Sequence, residues 1–376
     1  MEGSLPAATE DGVARANVRT RAPRKKPISQ LARVESRTAW LLLAPTFIIL
    51  LVIAFYPFSR VVISSFTNAR FASAAETRYV GFANYRSLLS MTIKELPPQR
   101  DESGNPIVED GVPRYESWVR VLPREPLRYR AVFEFSLLGK RYVLGAVTAQ
   151  FVRAIWDTTV FTVIAVLLET LLGLAIALAL NAEFRGRGMM RAAMVVPWAV
   201  ITAVSARIWE WMLQPTRAGL FNTIGSKLGL SDGSTDYFGN ITLQLPSMIV
   251  MDVWKTTPFM ALLLLAGLAT IPSELYEAGE VDGASKVRQF FSITLPLLSP
   301  TLAVALIFRT LDSLRVFDIF QVVLGNRRFS MASYTQDLLI NQRDLGMSSA
   351  ASVVIFVIVA VFAVIYIRML GQRSTE

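Results

Sequence analysis

The residue types that usually carry catalysis are missing from this chain. Its 376 residues include no His and no Cys. That excludes a Ser-His-Asp triad, an H-E-x-x-H metalloprotease, His-ligated haem, thiolate zinc, iron–sulfur ligation, a Cys nucleophile and any disulfide. A carboxylate-only metal site is the one metal chemistry left open. What the chain does hold is charge in unusual places. Arg309, Asp312, Arg315 and Asp318 recur every three residues inside a long apolar run. Read as one helix, they share a face and pair internally. Asp252 and Lys255 repeat that spacing nearer the outer end of another run, and Glu169 stands alone in a third. Charge inside a membrane span marks a solute path or a proton route by default. It also serves as salt-bridged glue between helices. Both readings of the 309–318 set stay open from spacing alone. The Asp252/Lys255 pair fits structure better, and a lone Glu169 fits a satisfied packing residue. Trp198, Trp209, Trp211 and Trp254 offer flat faces to sugar rings, although anchoring at the membrane interface is the commoner use of Trp.

A different kind of chemistry, coupling to an external motor, is written in residues 271–300: I-P-S-E-L-Y-E-A-G-E-V-D-G-A-S-K-V-R-Q-F-F-S-I-T-L-P-L-L-S-P. Pro272 suits a helix start, with Ser273 and Glu274 in the first turn. Gly283 supplies a turn where φ can be positive, and Pro296 and Pro300 punctuate entry into the next span. The pattern predicts a helix–turn–helix that can dock as a knob in a partner's groove. An ordinary connection needs only a few residues. The chain has no P-loop of its own. Its Gly139-Lys140 pair is followed by Arg141 and lacks the preceding glycine, so ATP hydrolysis by that route is excluded.

Segment 271–300 resembles the EAA loop in permease subunits of binding-protein-dependent ABC importers. The pattern E-A-A, three residues, G, nine residues, I-x-L-P falls on Glu277-Ala278-Gly279, Gly283 and Ile293-Thr294-Leu295-Pro296. Gly279 stands where the family usually has Ala, a departure that bears on local helix propensity more than on docking. Asp252-Val253-Trp254-Lys255-Thr256-Thr257-Pro258-Phe259, Arg309-Thr310-Leu311-Asp312, Phe317-Asp318 and Gly81-Phe82-Ala83-Asn84-Tyr85 are similar to the carbohydrate-uptake branch, of the maltose, trehalose or glycerol-phosphate type. The resemblance covers roughly 39–90 and 151–370, and leaves about 91–150 as an insertion.

The resemblance implies a permease with no catalysis and no cofactor of its own, with ATP and Mg bound by partner subunits. Those partners would be a second permease, two cytoplasmic ATPases and an extracytoplasmic solute-binding protein. Coupling to the ATPase would rest on Glu277, Ala278, Gly279, Asp282, Gly283, Ile293, Leu295 and Pro296, with Glu277 facing a basic residue. Candidates for the solute path are Trp254, Arg309, Asp312, Arg315, Phe317 and Asp318. The solute would be a sugar, a di- or oligosaccharide. An ion-coupled secondary transporter is the alternative. The EAA spacing speaks against it, and no pair of broken helices in matching halves is evident. A membrane enzyme would be left with carboxylate mechanisms alone.

These residues need a membrane frame. Hydrophobic residues make up 53% of the chain and charged ones 18%, against about a quarter charged in soluble domains. Six runs reach the roughly 20 residues a spanning helix needs: 39–58, 158–180, 192–213, 249–269, 300–324 and 350–370. The predicted fold is an all-α polytopic membrane protein, six transmembrane helices of the type I ABC importer permease kind with a small external insertion. Strand-like density at 115–121 and 129–143 gives that insertion β character. The organisation is a disordered basic tail (1–38), a first helix (39–66) and an external loop (67–152) with the insertion at about 91–150. A five-helix core (153–370) follows, containing the coupling loop 271–296, and 371–376 form the C-terminus. Segment 213–245 is Gly-punctuated and suits a short interfacial helix.

Even helix number puts both termini on one side. Basic residues of the tail, of 181–191, of 271–296 and of the C-terminal end outnumber those of the opposite short loops. The long 67–152 loop is exempt from the rule. Both termini are therefore predicted cytoplasmic, in the inner membrane of a bacterial or archaeal cell. The net charge of +9 then reflects orientation and anionic membrane lipid. It does not point to nucleic acid, for which no basic-aromatic module exists. Arg21, Arg24, Lys25 and Lys26 fit a lipid-surface anchor or a solvated tail that helps set orientation.

Overall fold

The computed structural model describes residues 30–102, 104–109 and 111–371. The basic cluster at 15–26 and residues 372–376 lie outside the described residues. The chain divides into two units, Met1–Phe58 and Ser59–Glu376. Helix α1 (Gln30–Leu50) passes through a π turn (Leu51–Phe55) into α2 (Tyr56–Ser64), within which the division falls. The stretch 30–38, expected to be disordered, is helical. After Pro27 no Pro or Gly interrupts the chain until Pro45, and Gln, Leu, Ala and Arg are good helix formers.

In the second unit, α3 (Ala83–Leu89) starts inside the Gly81–Tyr85 motif. Asn84 explains that motif: its Nδ2 donates to the carbonyls of Ser65 (2.8 Å) and Thr67 (2.9 Å). Strands β1 (Met91–Leu96), β2 (Val108–Glu109) and β3 (Val112–Pro113) come next, followed by α4 (Trp118–Val121), β4 (Arg130–Leu137) and β5 (Lys140–Ala146). The insertion is a three-stranded antiparallel sheet in the order β1-β5-β4, with β2 and β3 pairing separately. Stretch 129–143 therefore folds as a hairpin. Stretch 115–121, expected as a strand, ends in α4, because the Ser117 side chain caps Val119 N–H and starts a helical turn. Strand β1 lies outside both stretches of strand-like density. Leu96, Leu122 and Val143 fill the lobe's small core, and Val132 and Ala146 pack on Val152 of the next helix. The lobe thus leans on the helical bundle, as its size requires.

That bundle contains α5 (Ala149–Asn181), α6 (Arg187–Ala199), α7 (Thr202–Met212), α8 (Leu220–Lys227), α9 (Ile241–Leu268), α10 (Glu274–Val281), α11 (Lys286–Gln289), α12 (Leu295–Ser313), α13 (Met331–Ile340) and α14 (Leu345–Gly371). A π turn (Phe290–Thr294) makes α11 and α12 one continuous helix from Lys286 to Ser313. Among the described residues five helices are long and apolar enough to cross a membrane, and α6 with α7 form a sixth candidate bent by 91°.

The expected third span, 192–213, is thus not one helix. Pro197 lacks the N–H that a continuous helix would use, and Val200 and Ile201 take extended backbone. The expected fifth span also shifts. Its helix begins at Lys286, inside the segment read as loop, and ends at Ser313, so 314–324 lie beyond it. The fourth begins at Ile241, which moves Asp252 to mid-helix.

Helices α5 and α9 lie side by side. A Cβ built on Gly173 would stand 2.8 Å from Met260 Cγ and 3.2 Å from the Ala261 nitrogen. Only Gly allows that approach. Gly173→Ala should destabilise the solubilised protein by about 1–3 kcal/mol through overpacking. Thermal denaturation in detergent measures it, and an unchanged midpoint would contradict the packing described. One apolar core is built around Phe161, Trp209, Met248 and Phe320, and another around Ala177, Met260, Leu264 and Leu298.

Candidate functional site

The centre of the bundle is polar. Arg309 is buried on α12 and fans its guanidinium over two neighbouring helices. Its Nε and Nη2 form a fork with the two oxygens of Glu169 on α5, the Nη2 bond measuring 2.8 Å. Nη2 also pairs with Asp252 on α9, and Nη1 reaches Asp312 Oδ2 at 2.8 Å. All but one of the five guanidinium N–H groups are thereby used. Thr256 donates to Glu169 Oε1 at 2.5 Å. Glu169 and Arg309 are 0% and 3% exposed in their side chains, whereas Asp312 is 69% exposed. The network therefore has a dry end and a wet end.

The wet end opens into a cavity of about 430 Å³, lined among others by Trp198, Thr202, Lys255, Arg315, Phe317 and Asp318. The break between α6 and α7 borders it. Lys255 Nζ donates to the Trp198 carbonyl at 3.2 Å, covering a carbonyl left open where α6 ends. The cavity wall thus combines acceptors, donors and one half-exposed indole, Trp198, which stacks on Phe259 at 5.8 Å. Such a wall can exchange hydrogen bonds with a polyhydroxylated solute and offer it an aromatic face.

Of the six candidate path residues, Arg309, Asp312, Arg315, Phe317 and Asp318 line this cavity, and Trp254 does not. Trp254 packs edge to face on Trp209 instead. The four charges do not share one helix face. The helix tightens after Ser313, where Arg315 N–H bonds Asp312 O and Val316 N–H bonds Ser313 O, so Arg315 and Asp318 enter the cavity from the following turn. Glu169, read from sequence as a lone packing residue, is the principal partner of Arg309. The available signal was that an acid in an apolar span needs a cation, and Arg309 and Lys255 are mid-run cations.

The second candidate site lies at the other end of α12. Helix α10 carries Glu274 and Glu277 in its first turn, favourable to the helix dipole. It ends in a Schellman motif. Ala284 N–H bonds Gly279 O at 2.8 Å, Gly283 N–H bonds Glu280 O at 3.0 Å, and Gly283 has φ +74°. Ser285 then caps α11, and Lys286 pairs back to Glu280. Tyr276 OH and Thr294 Oγ1, 3.0 Å apart, tie α10 to the long helix. Gly279 faces Ile293, whose Cδ1 would lie 3.3 Å from an added Cβ, a contact that a small shift of a flexible terminus relieves.

Glu277, Ala278, Asp282, Gly283 and Pro296 are exposed, and Ile293 and Leu295 are half-buried. Exposed Val281 (89%) and Val287 (68%) stand beside the acids, so the knob offers apolar and acidic surface together. Gly283→Ala forces an L side chain into the left-handed region, at about 1–2 kcal/mol. It should loosen the knob, which faster proteolysis between α10 and α11 would report. Cleavage at the wild-type rate would contradict the role of this turn.

The chain is similar to known proteins. Residues 142–375 match the family described as binding-protein-dependent transport system inner membrane component. A trehalose/maltose transport system permease protein of Thermococcus litoralis is 45% identical over 240 residues, 63% of this chain and 80% of that protein. A trehalose transport system permease protein of Mycobacterium tuberculosis is 31% identical over 345 residues, 90% of this chain and 91% of that one. A chain in the crystal structure of a bacterial alginate ABC transporter, in complex with an alginate pentasaccharide-bound periplasmic protein, has the same fold. It superimposes with a TM-score of 0.65 at 20% identity, covering 93% of this chain and 99% of that chain.

Proposed function

Because the chain belongs to the family of binding-protein-dependent transport system inner membrane components, we propose that its central cavity is part of the path for a di- or oligosaccharide and that α10 is its coupling lever. The chain is a multi-pass membrane protein, the permease subunit of an ABC importer, and not itself an enzyme. Its assembly would comprise a second permease, two cytoplasmic ATPases that bind ATP and Mg, and an extracytoplasmic solute-binding protein. Both termini would then face the cytoplasm, on the side of α10.

One observation carries the reading. The helix running without a break from Lys286 to Ser313 starts at the knob and ends at the charged cavity. Closure of the ATPases around α10 would move one end of this rigid rod. Its other end carries Arg309 and Asp312, so access to the cavity would shift between two packed arrangements. The relatives named for trehalose and maltose transport support a neutral sugar as solute, and the cavity's balanced charges and single indole suit one. Among the described residues α6–α7 is the one bent pair. The matched pair of broken helices typical of many ion-coupled transporters is absent there.

The test is uptake of labelled trehalose and maltose by cells lacking the gene and cells with it restored. Restoration of uptake of either sugar is expected. Equal uptake in both strains, with the protein present in the membrane, would overturn the sugar assignment.

A further inference from the structure

We propose that the β4–β5 hairpin is a lipid anchor whose tip, Leu137–Leu138, seats in the bilayer leaflet facing the lobe. The tip is an outlier. Leu138 has φ +52° and Gly139 φ +78°, so both central residues of the two-residue turn are left-handed. Turns of this kind normally take Asn-Gly or Asp-Gly. Here the strained position holds a leucine that is 94% exposed. Nothing in the lobe rewards that choice, and an outlier of this type points to a role outside the chain's own packing.

Register and contacts give the hairpin its direction. Near its base, Ala146 and Leu144 cluster with Ala149 and Val152 on the first turns of α5. A bulge between Ala131 and Phe133 re-aims the strand. Phe133 then meets Trp156, ring centroids 5.8 Å apart, one turn further along α5. The hairpin therefore descends beside α5 toward its apolar part, and the tip continues past Trp156. Pairing places Phe135 opposite Tyr142 on the same face, their rings stacked at 5.8 Å.

This aromatic face continues the exposed apolar stripe of α5, a helix long and apolar enough to cross a membrane. Trp156 heads the outward stripe of α5, with Val163, Leu167 and Leu171 below it, all more than half exposed. An aromatic at the head of such a stripe marks the membrane–water boundary. The charges near the tip suit the same place. Lys140 pairs with Glu95 at 3.0 Å and Arg141 with Glu134 at 2.9 Å, so the hairpin brings neutralised pairs to the headgroup layer and bare leucines below it. A protein-interface core would be depleted of such charges, which favours lipid over a protein partner.

The chain has no cysteine, so Leu138→Cys can carry a single environment-sensitive fluorophore, attached to the purified chain before it is assembled and reconstituted in phosphatidylethanolamine–phosphatidylglycerol vesicles. Val163→Cys serves as the lipid reference and Glu109→Cys, on the β2–β3 hairpin, as the water reference. Nitroxide-labelled lipids should quench the Leu138 label nearly as strongly as the Val163 label, and aqueous iodide should quench it several-fold less than the Glu109 label. Iodide quenching equal to that at Glu109 would overturn the proposal. Protection from both quenchers would overturn it too, and assign the tip to a protein partner.

Discussion

Arg309→Met should abolish uptake and lower the stability of the solubilised protein by about 3–5 kcal/mol, the range for removing one partner of a buried ion pair. Arg309 is the cation that directly contacts both Glu169 and Asp252. Without it two carboxylates on α5 and α9 face each other across a dry contact, and the helices are driven apart at the floor of the cavity. Arg309→Lys should recover part of the loss, since a point charge remains but the fork on Glu169 does not. The informative variant is the triple change Arg309→Met, Glu169→Gln, Asp252→Asn. Removing the three buried charges together should return most of the stability, because the penalty lies in the orphaned charges and not in the absence of a salt bridge. Thermal denaturation in detergent reads all three. An Arg309→Met protein as stable as the wild type would contradict the network described.

Glu277→Lys should reduce uptake by at least about 10-fold, equivalent to 1.4 kcal/mol, while leaving membrane level and folding unchanged. Glu277 is exposed on α10, and surface substitutions of this kind shift stability by about 0.5 kcal/mol or less. The loss would therefore belong to the proposed interface, where a reversed charge would meet a basic surface and truncation alone removes about 2–5 kcal/mol for a buried pair. Two readouts separate the cases. Fewer copurifying ATPase subunits would place the defect in docking, and an intact assembly that hydrolyses ATP without transport would place it in coupling. Normal uptake at normal expression would remove Glu277 from the coupling surface.

What the sequence discloses differs sharply between the two ends of α12. The knob is local. Acids in the first turn, a glycine past the helix end and a serine cap lie within a dozen residues, and backbone geometry leaves them few arrangements. The cavity is not local. Glu169 meets Arg309 across 140 residues of sequence, and an apolar run says nothing of which neighbour its single acid will find. Hydropathy also carries no direction, so the 91° bend between α6 and α7 was hidden inside an apparently continuous span. The three-residue spacing of Arg309, Asp312, Arg315 and Asp318 suggested a single face only because no Gly or Pro marks the end of the helix at Ser313. Strand β1 was obscured by Pro97-Pro98, and its partner β5 lies some fifty residues further on. In the lobe, short range again succeeded: the hairpin over 129–143 showed in its β-branched and aromatic density.

The absence of His and Cys now has a physical place. On the proposed reading the chain would supply a polar path and a lever, and the energy would enter through α10 from another subunit. Sugar accumulation in sealed vesicles containing the assembled transporter tests that division of labour most directly. The account predicts accumulation only with ATP on the α10 side and the ATPase subunits present, reduced at least about 10-fold by Glu277→Lys and unaffected by dissipating ion gradients. Accumulation by this chain alone, without ATP and driven by an ion gradient, would contradict it.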